Sequence, residues 1–148
     1  MAERIDIVIA DGAEYLAANT QHYDLVLVDG FDENARSGRL NTVDFYQAVR
    51  AHLSNVGIMA VNLLGHSRGF EVNAERIRAA FSQRSLVFPS CDSGNTIVFA
   101  ATGDPVCMTL YELRKRAAIL KENTYLNLLP TLTRVEQAQT CRGGILSI

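Results

Sequence analysis

Tyr23-Asp24-Leu25-Val26-Leu27-Val28-Asp29-Gly30 is the stretch on which the fold turns. Four apolar residues follow one another without alternation, and Asp-Gly stops them. A strand with one face in water would alternate polar with apolar. A continuous run fits a strand buried on both faces, as in a parallel sheet.

The chain reads outward from there. Upstream, Ile5-Ile7-Val8-Ile9 lie in a short β-branched run, Ile5 to Ala10, closed by Asp11-Gly12. The pattern predicts a strand and a turn. Ala13 to Asn19 can then form a short helix. Downstream, residues 30 to 41 are polar and hold Gly30, Gly38 and Asn41, so they read as a loop. Thr42 is a cap for a helix from about Val43 to His52, with Phe45, Val49 and Leu53 on one face. Ile58 to Leu64 reads as another buried strand, and Val72 to Phe81 as a helix with Ile77, Ala80 and Phe81 turned inward. Leu86 to Phe88 and Thr96 to Ala101 read as an antiparallel pair at a sheet edge. Thr109-Leu110-Tyr111-Glu112 matches the capping box, and its helix should reach about Lys121. Pro130 suits the first turn of a last helix, roughly Thr131 to Gln139. The tail from Arg142 is expected to pack or fray. The resulting order, β-α-β-α-β-α-β-β-α-α, predicts an α/β fold: a mostly parallel sheet with an antiparallel edge strand and helices on both faces.

Composition narrows the function classes. The chain has 148 residues, a single domain's worth, and 48% of them are apolar against 20% charged. A net charge of −2 with dispersed basic residues gives no reason to expect nucleic acid or an anionic membrane as partner. No apolar run is long enough to span a bilayer. The N-terminal residues lack a signal-peptide pattern, so a cytoplasmic location is expected. Cys91, Cys107 and Cys141 are odd in number and widely spaced, which predicts reduced thiols and neither a disulfide framework nor a zinc site. His22, His52 and His66 have no metal-ligand spacing either, and no metal is expected.

Chemistry is sought at the carboxyl ends of the strands, where open parallel sheets bind ligands. Asp11 and Asp29 end two of them, Asn62 lies late in a third, and Asp32 follows Asp29 by three residues. Two carboxylates and an amide could converge on one crevice. Asp-Gly is also a common turn dipeptide, and from spacing alone the turn reading is equally good.

The ordered set resembles the central block of the spermidine synthase (polyamine aminopropyltransferase) family. Ile9-Ala10-Asp11-Gly12-Ala13-Glu14-Tyr15-Leu16 is similar to its strand ending Gly-Asp-Gly. Tyr23 to Asp32 is similar to its Tyr/Phe-Asp, buried strand and Asp-x-x-Asp. Leu40 to Tyr46, Leu53 to Met59 and Gly94 to Ala100 resemble the stretches that follow in that family. The resemblance implies a partial Rossmann-like sheet of the class I S-adenosylmethionine-dependent methyltransferase type. It implies aminopropyl transfer from decarboxylated S-adenosylmethionine to a diamine such as putrescine, with methylthioadenosine as product. Carried over by position, Asp11 accepts from the adenine amino group with Gly12 beside it, and Asp29 is the general base. Asp32 holds an amino group of the diamine, and Asn62 stands where the family often has Gln. Cys91 falls near the place of the family's active-site tyrosine.

The same comparison implies that residues 1 to 148 form one domain, the C-terminal portion of the family's nucleoside-binding domain, without its glycine-rich loop and N-terminal β-domain. No tightly bound cofactor is then expected. The implied partners are a small nucleoside and a diamine, with self-association through exposed edges. Two other readings stay open: a methyltransferase-like protein with an unknown acceptor, and a non-catalytic remnant or interaction module.

Overall fold

The computed structural model describes residues 5–30, 38–65, 69–89, 94–137 and 141–148. In chain order, the elements are α1 (Gly12–Ala18), β1 (Tyr23–Val28), a 3-10 turn (Gly38–Asn41), α2 (Val43–Ala51), β2 (Leu53–Leu64) and α3 (Phe70–Ala80). β3 (Ser85–Val87), β4 (Asn95–Ala101), β5 (Cys107–Thr109), α4 (Leu110–Thr124), α5 (Leu129–Gln137), a second 3-10 turn (Arg142–Gly144) and β6 (Ile145–Ser147) follow.

The main sheet has the order β1-β2-β4-β3. β1 and β2 are parallel, and β4 runs antiparallel to both its neighbours, β2 and β3. Three strands therefore point one way and β4 the other. The antiparallel pair does sit at one side of the sheet, with β3 as the edge and β4 inserted next to β2. β2 begins at Leu53, earlier than its apolar run suggests, because Tyr23 pairs with Leu53 before the register slips and Leu25 meets Ile58.

One face of this sheet makes the core. Met59, Val61 and Leu63 of β2 and Val98 and Ala100 of β4 project to it. Leu16 of α1, Phe45, Tyr46 and Val49 of α2, and Ile77, Ala80 and Phe81 at α3 close over them. Thr42 caps α2 by accepting from the Phe45 N–H at 3.2 Å. The opposite face is apolar but open. Leu25, Leu27, Val56 and Ile58 are exposed there. A cavity of about 420 Å³ lies on that side, lined by Ile58, Leu86, Phe88, Phe99, Val106 and Ile148 among others. The expectation of helices on both faces is thus met on one, since α4 packs mainly on α5 and β5.

One further departure concerns the first predicted strand. Ile5 to Ala10 is not a strand: it forms no ladder among the described residues, and Ile5, Ile7, Val8 and Ile9 are exposed. A strand exists only with a neighbour to bond to, and among the described residues β1 is paired on one side only, by β2. The tail packs, one of its two expected outcomes: Ile145–Ser147 pairs antiparallel with Cys107–Thr109 as a small second sheet. The capping box forms as read, with the Thr109 N–H donating to Glu112 Oε2 at 2.9 Å and Thr109 Oγ1 accepting from the Glu112 N–H at 3.2 Å. The Thr109 N–H, then its hydroxyl, hold the Glu112 pKa below the usual carboxylate value.

Tyr46 links the core to the loop that follows β1. It is fully buried, and its hydroxyl donates to Asn41 Oδ1 at 3.0 Å. Arg76 Nη1 donates to the Asn41 carbonyl at 2.9 Å and so fixes the same residue from α3. Burial pushes the Tyr46 pKa from 10.0 up to about 12, with nearby Arg76 opposing the rise. The unfolded chain would release this proton near its ordinary value while the folded chain keeps it. The resulting stability is complete below pH ~10 and lost as pH rises through ~12, at about 1.4 kcal/mol per unit. Denaturant titrations across that window should show the decline in the wild type. A Tyr46→Phe variant with the same slope would refute the assignment.

Candidate functional site

The site is built where β1 ends and α1 begins. Asp11 adopts extended backbone and caps α1, its Oδ1 accepting from the Ala13 N–H at 2.9 Å and the Glu14 N–H at 3.1 Å. Its other oxygen, Oδ2, lies 4.0 Å from Arg39 Nη1, which also reaches Glu14 at 3.1 Å. The turn reading of Asp11 is therefore correct, and it leaves Oδ2 available to a donor. Arg39 was not legible as a neighbour from sequence, since it is 28 residues away and sits on the 3-10 turn.

Asp29 follows the last residue of β1, and Asn62 occupies the neighbouring strand β2. The Asn62 amide donates from Nδ2 to Asp29 Oδ1 at 3.0 Å. The other amide atom, Asn62 Oδ1, is buried and has no hydrogen-bond partner among the described residues. A buried acceptor without a donor costs roughly 1–3 kcal/mol. A carboxylate and an orphaned carbonyl oxygen side by side suit a ligand rich in N–H groups, above all a cationic one.

Leu40 ties the two Asp-Gly turns together. A Cβ placed on Gly12 would lie 3.3 Å from Leu40 Cδ2, and one on Gly30 would lie 2.7 Å from Leu40 Cδ1. The leucine lies between the glycine after Asp11 and the glycine after Asp29, so a side chain at either turn would have to displace the end of Leu40. An open trough of about 770 Å³ runs past them, lined by Val8, Ala10, Gly12, Tyr15, Asp29, Gly30 and Leu40 among others. Tyr15 and Tyr23 meet in its wall with hydroxyls 3.3 Å apart, and that hydrogen bond, ahead of burial, raises the Tyr23 pKa.

The structure thus brings Asp29 and Asn62 into contact and sets Asp11 across Leu40 from them. Asp32 and Cys91 lie outside the described residues, as does His66. No three His, Cys, Asp or Glu residues among the described ones assemble as a metal site. Of the free thiols described, Cys107 is exposed and Cys141 buried. No described helix is long and apolar enough to cross a membrane.

The wedge makes a prediction. Gly30→Ala should cost at most about 1 kcal/mol through overpacking, because what it meets is the movable end of Leu40. Adding Leu40→Ala should recover part of that loss, because neighbouring sites do not add. Strict additivity in a double-mutant cycle of chemical denaturation would show that the two do not press on each other.

A mixed α/β sheet with an acidic turn at the end of β1 and helices packed on its core face defines a fold of the methyltransferase type. The spermine/spermidine synthase domain model matches residues 1–107, and the chain belongs to that family. It is 33% identical over 115 residues to a polyamine aminopropyltransferase of Neisseria meningitidis serogroup B, covering 78% of this chain and 44% of that protein. The polyamine aminopropyltransferase of Chromobacterium violaceum is 31% identical over 143 residues, covering 97% of this chain and 55% of that one. The chain spans about half the length of these curated relatives. A crystal structure of spermidine synthase in complex with the transition-state analogue AdoDATO superposes with a TM-score of 0.57 at 30% identity, covering 69% of this chain and 38% of that one. Human methyltransferase-like protein 13 in complex with SAH shares the fold at TM-score 0.70 and 21% identity, over 89% of this chain and 61% of that one.

Proposed function

We propose that this chain carries the amine-side half of an aminopropyltransferase site, transferring the aminopropyl group of decarboxylated S-adenosylmethionine to a diamine such as putrescine. The observation that carries the reading is the Asp29–Asn62 contact with its orphaned, buried Oδ1. A diamine is protonated at neutral pH, since its pKa lies near that of lysine, about 10. An ammonium has no lone pair and cannot attack. Asp29 binds the ammonium, takes its proton and frees the nitrogen. The nitrogen then bonds to the carbon beside the sulfonium, the C–S bond breaks, and methylthioadenosine leaves with the electron pair. The sulfonium is already a good leaving group, so positioning and proton removal supply the rate.

The remaining roles follow the family pattern. Asn62 would lie near the same amine through its bond to Asp29, and Asp32 would hold the diamine's other cationic end. Asp11, through Oδ2, would accept from the adenine amino group beside Arg39, with Gly12 allowing close approach. A cytoplasmic setting fits such an enzyme.

The test is a transfer assay with putrescine and either decarboxylated or ordinary S-adenosylmethionine, paired with calorimetric titration of putrescine and methylthioadenosine. Spermidine formed only from the decarboxylated donor is the expected result. A methylated product from the ordinary donor would move the chain to the methyltransferases. Neither product, with no heat from either ligand, would leave a non-catalytic module.

A further inference from the structure

We propose that Arg39 decides which acidic end of the site takes a cation: it keeps the diamine away from Asp11 and so leaves the ammonium to Asp29. The inference rests on the aminopropyltransferase reading for its two ligands, and it adds a specificity-determining residue to that site.

The two acidic ends are built differently. At one, Asp11 caps α1 and Glu14 lies in its first turn. Arg39 Nη1 stands 3.1 Å from Glu14 Oε1 and 4.0 Å from Asp11 Oδ2. Asp11 Oδ1 already accepts from the Ala13 and Glu14 N–H groups. At the other end, Asp29 accepts from the neutral Asn62 amide. None of the ion pairs among the described residues includes Asp29. Ala10 and Gly12, on either side of Asp11, line the same trough as Asp29 and Gly30.

Without Arg39, Asp11 and Glu14 would be two carboxylates with no cation between them. A diamine carries two positive charges at neutral pH, since its amines titrate near the lysine value, about 10. It would settle on that pair in preference to the single carboxylate of Asp29. The acceptor would then lie where the nucleoside belongs. With Arg39 in place the pair is half neutralised, and Asp11 Oδ2 faces a guanidinium. A further cation there meets like charge at close range. A neutral base amino group does not, because it brings an N–H to the carboxylate without adding charge. The donor's sulfonium and aminopropyl amine are kept from Arg39 in the same way. The donor therefore lies with its base toward Asp11 and its reacting carbon toward Asp29.

The fold holds the backbone of Arg39 for this role. Its carbonyl accepts from Thr42 Oγ1 at 3.1 Å. The next two residues are anchored: Leu40 packs against the core, and Asn41 takes bonds from Tyr46 and Arg76. The Arg39 side chain is 66% exposed. Its effect is therefore that of a surface charge, about fivefold in amine affinity.

Putrescine titrations followed by two-dimensional NMR of amide groups test this. The Ala13 and Glu14 amides report on Asp11, and the Asn62 side-chain amide reports on Asp29. In the wild type, putrescine should shift the Asn62 signal first. In Arg39→Gln, the Ala13 and Glu14 signals should respond at about fivefold lower putrescine than in the wild type. Arg39→Lys keeps the charge and should keep the wild-type order. Glu14→Gln separates charge from tethering. It breaks the same 3.1 Å pair yet leaves Arg39 facing one carboxylate, so putrescine should bind the Asp11 end no better than in the wild type. Equal responses of the Ala13 and Glu14 signals in the wild type and Arg39→Gln would overturn the proposal. So would a gain in Glu14→Gln equal to that in Arg39→Gln, which would make the pair a tether between α1 and the 3-10 turn. An Asn62 signal silent in the wild type would count against the functional reading, while the Ala13 and Glu14 signals would still decide on Arg39.

Discussion

Asp29→Asn should lower aminopropyl transfer by roughly 10²–10⁴-fold, the usual contribution of a positioned general base. The substitution is nearly isosteric, so the fold should hold. Asn62 Nδ2 now donates to Asp29 Oδ1 at 3.0 Å, and an asparagine at position 29 still offers an amide oxygen for that bond. What disappears is the charge. The amine then keeps its proton, and the ammonium loses its counter-ion. Raising the pH should partly rescue the variant, because free amine becomes available without a base. Asn62→Leu should behave differently. It removes a donor to Asp29 and the orphaned acceptor together, so diamine KM should rise more than kcat falls. Transfer by Asp29→Asn at the wild-type rate would remove Asp29 from the base role. Equal loss in both variants with equal pH rescue would mean that the pair only positions the substrate.

The parts of the fold legible in sequence are those whose signal is local. Thr42 and the spacing of Phe45 and Val49 placed α2, although Leu53, read onto the same face, begins β2 instead, and the Thr109–Glu112 box placed α4. The unbroken apolar runs placed β1 and β2. Ile5 to Ala10 has as good a β-pattern as either, yet makes no strand, because pairing is a property of two segments and only one is in place. β5 and β6 failed for the opposite reason. Three residues each, Cys107–Thr109 and Ile145–Ser147, are too short for any periodicity, and only their mutual bonding makes them strands. At the site, sequence order carried Asp11 and Asp29, and the turn reading of Asp11 holds: Oδ1 caps the helix while Oδ2 lies 4.0 Å from Arg39 Nη1. The Leu40 wedge was illegible as such. Its residue stood in the family pattern, but nothing in spacing says that Gly12 and Gly30 rest on the same side chain.

Tyr46→Ala should be the most damaging of the structural changes, at about 3–5 kcal/mol for a fully buried aromatic. Against a total of roughly 5–15 kcal/mol, that leaves a marginal fold. Tm should fall by roughly 10 °C, at about 2–4 °C per kcal/mol for a chain of this size. The ring packs beside Phe45, with centroids 5.7 Å apart, so its loss also loosens the edge of α2 that meets the trough. The hydroxyl has a separate role. Without its bond to Asn41 Oδ1, the 3-10 turn Gly38–Asn41 keeps the Arg76 hydrogen bond and the packing of Leu40 against the core. That turn carries Arg39, near Asp11, and Leu40, between the two glycines. Tyr46→Phe separates the effects. It keeps the ring and should cost only about 0.5–1.5 kcal/mol, yet it should still loosen the turn. Protection of the Leu40 amide from hydrogen exchange should therefore drop in Tyr46→Phe as well as in Tyr46→Ala. If protection there is unchanged in the phenylalanine variant, Arg76 and the Leu40 packing suffice to hold the turn, and the hydroxyl serves only to satisfy Asn41.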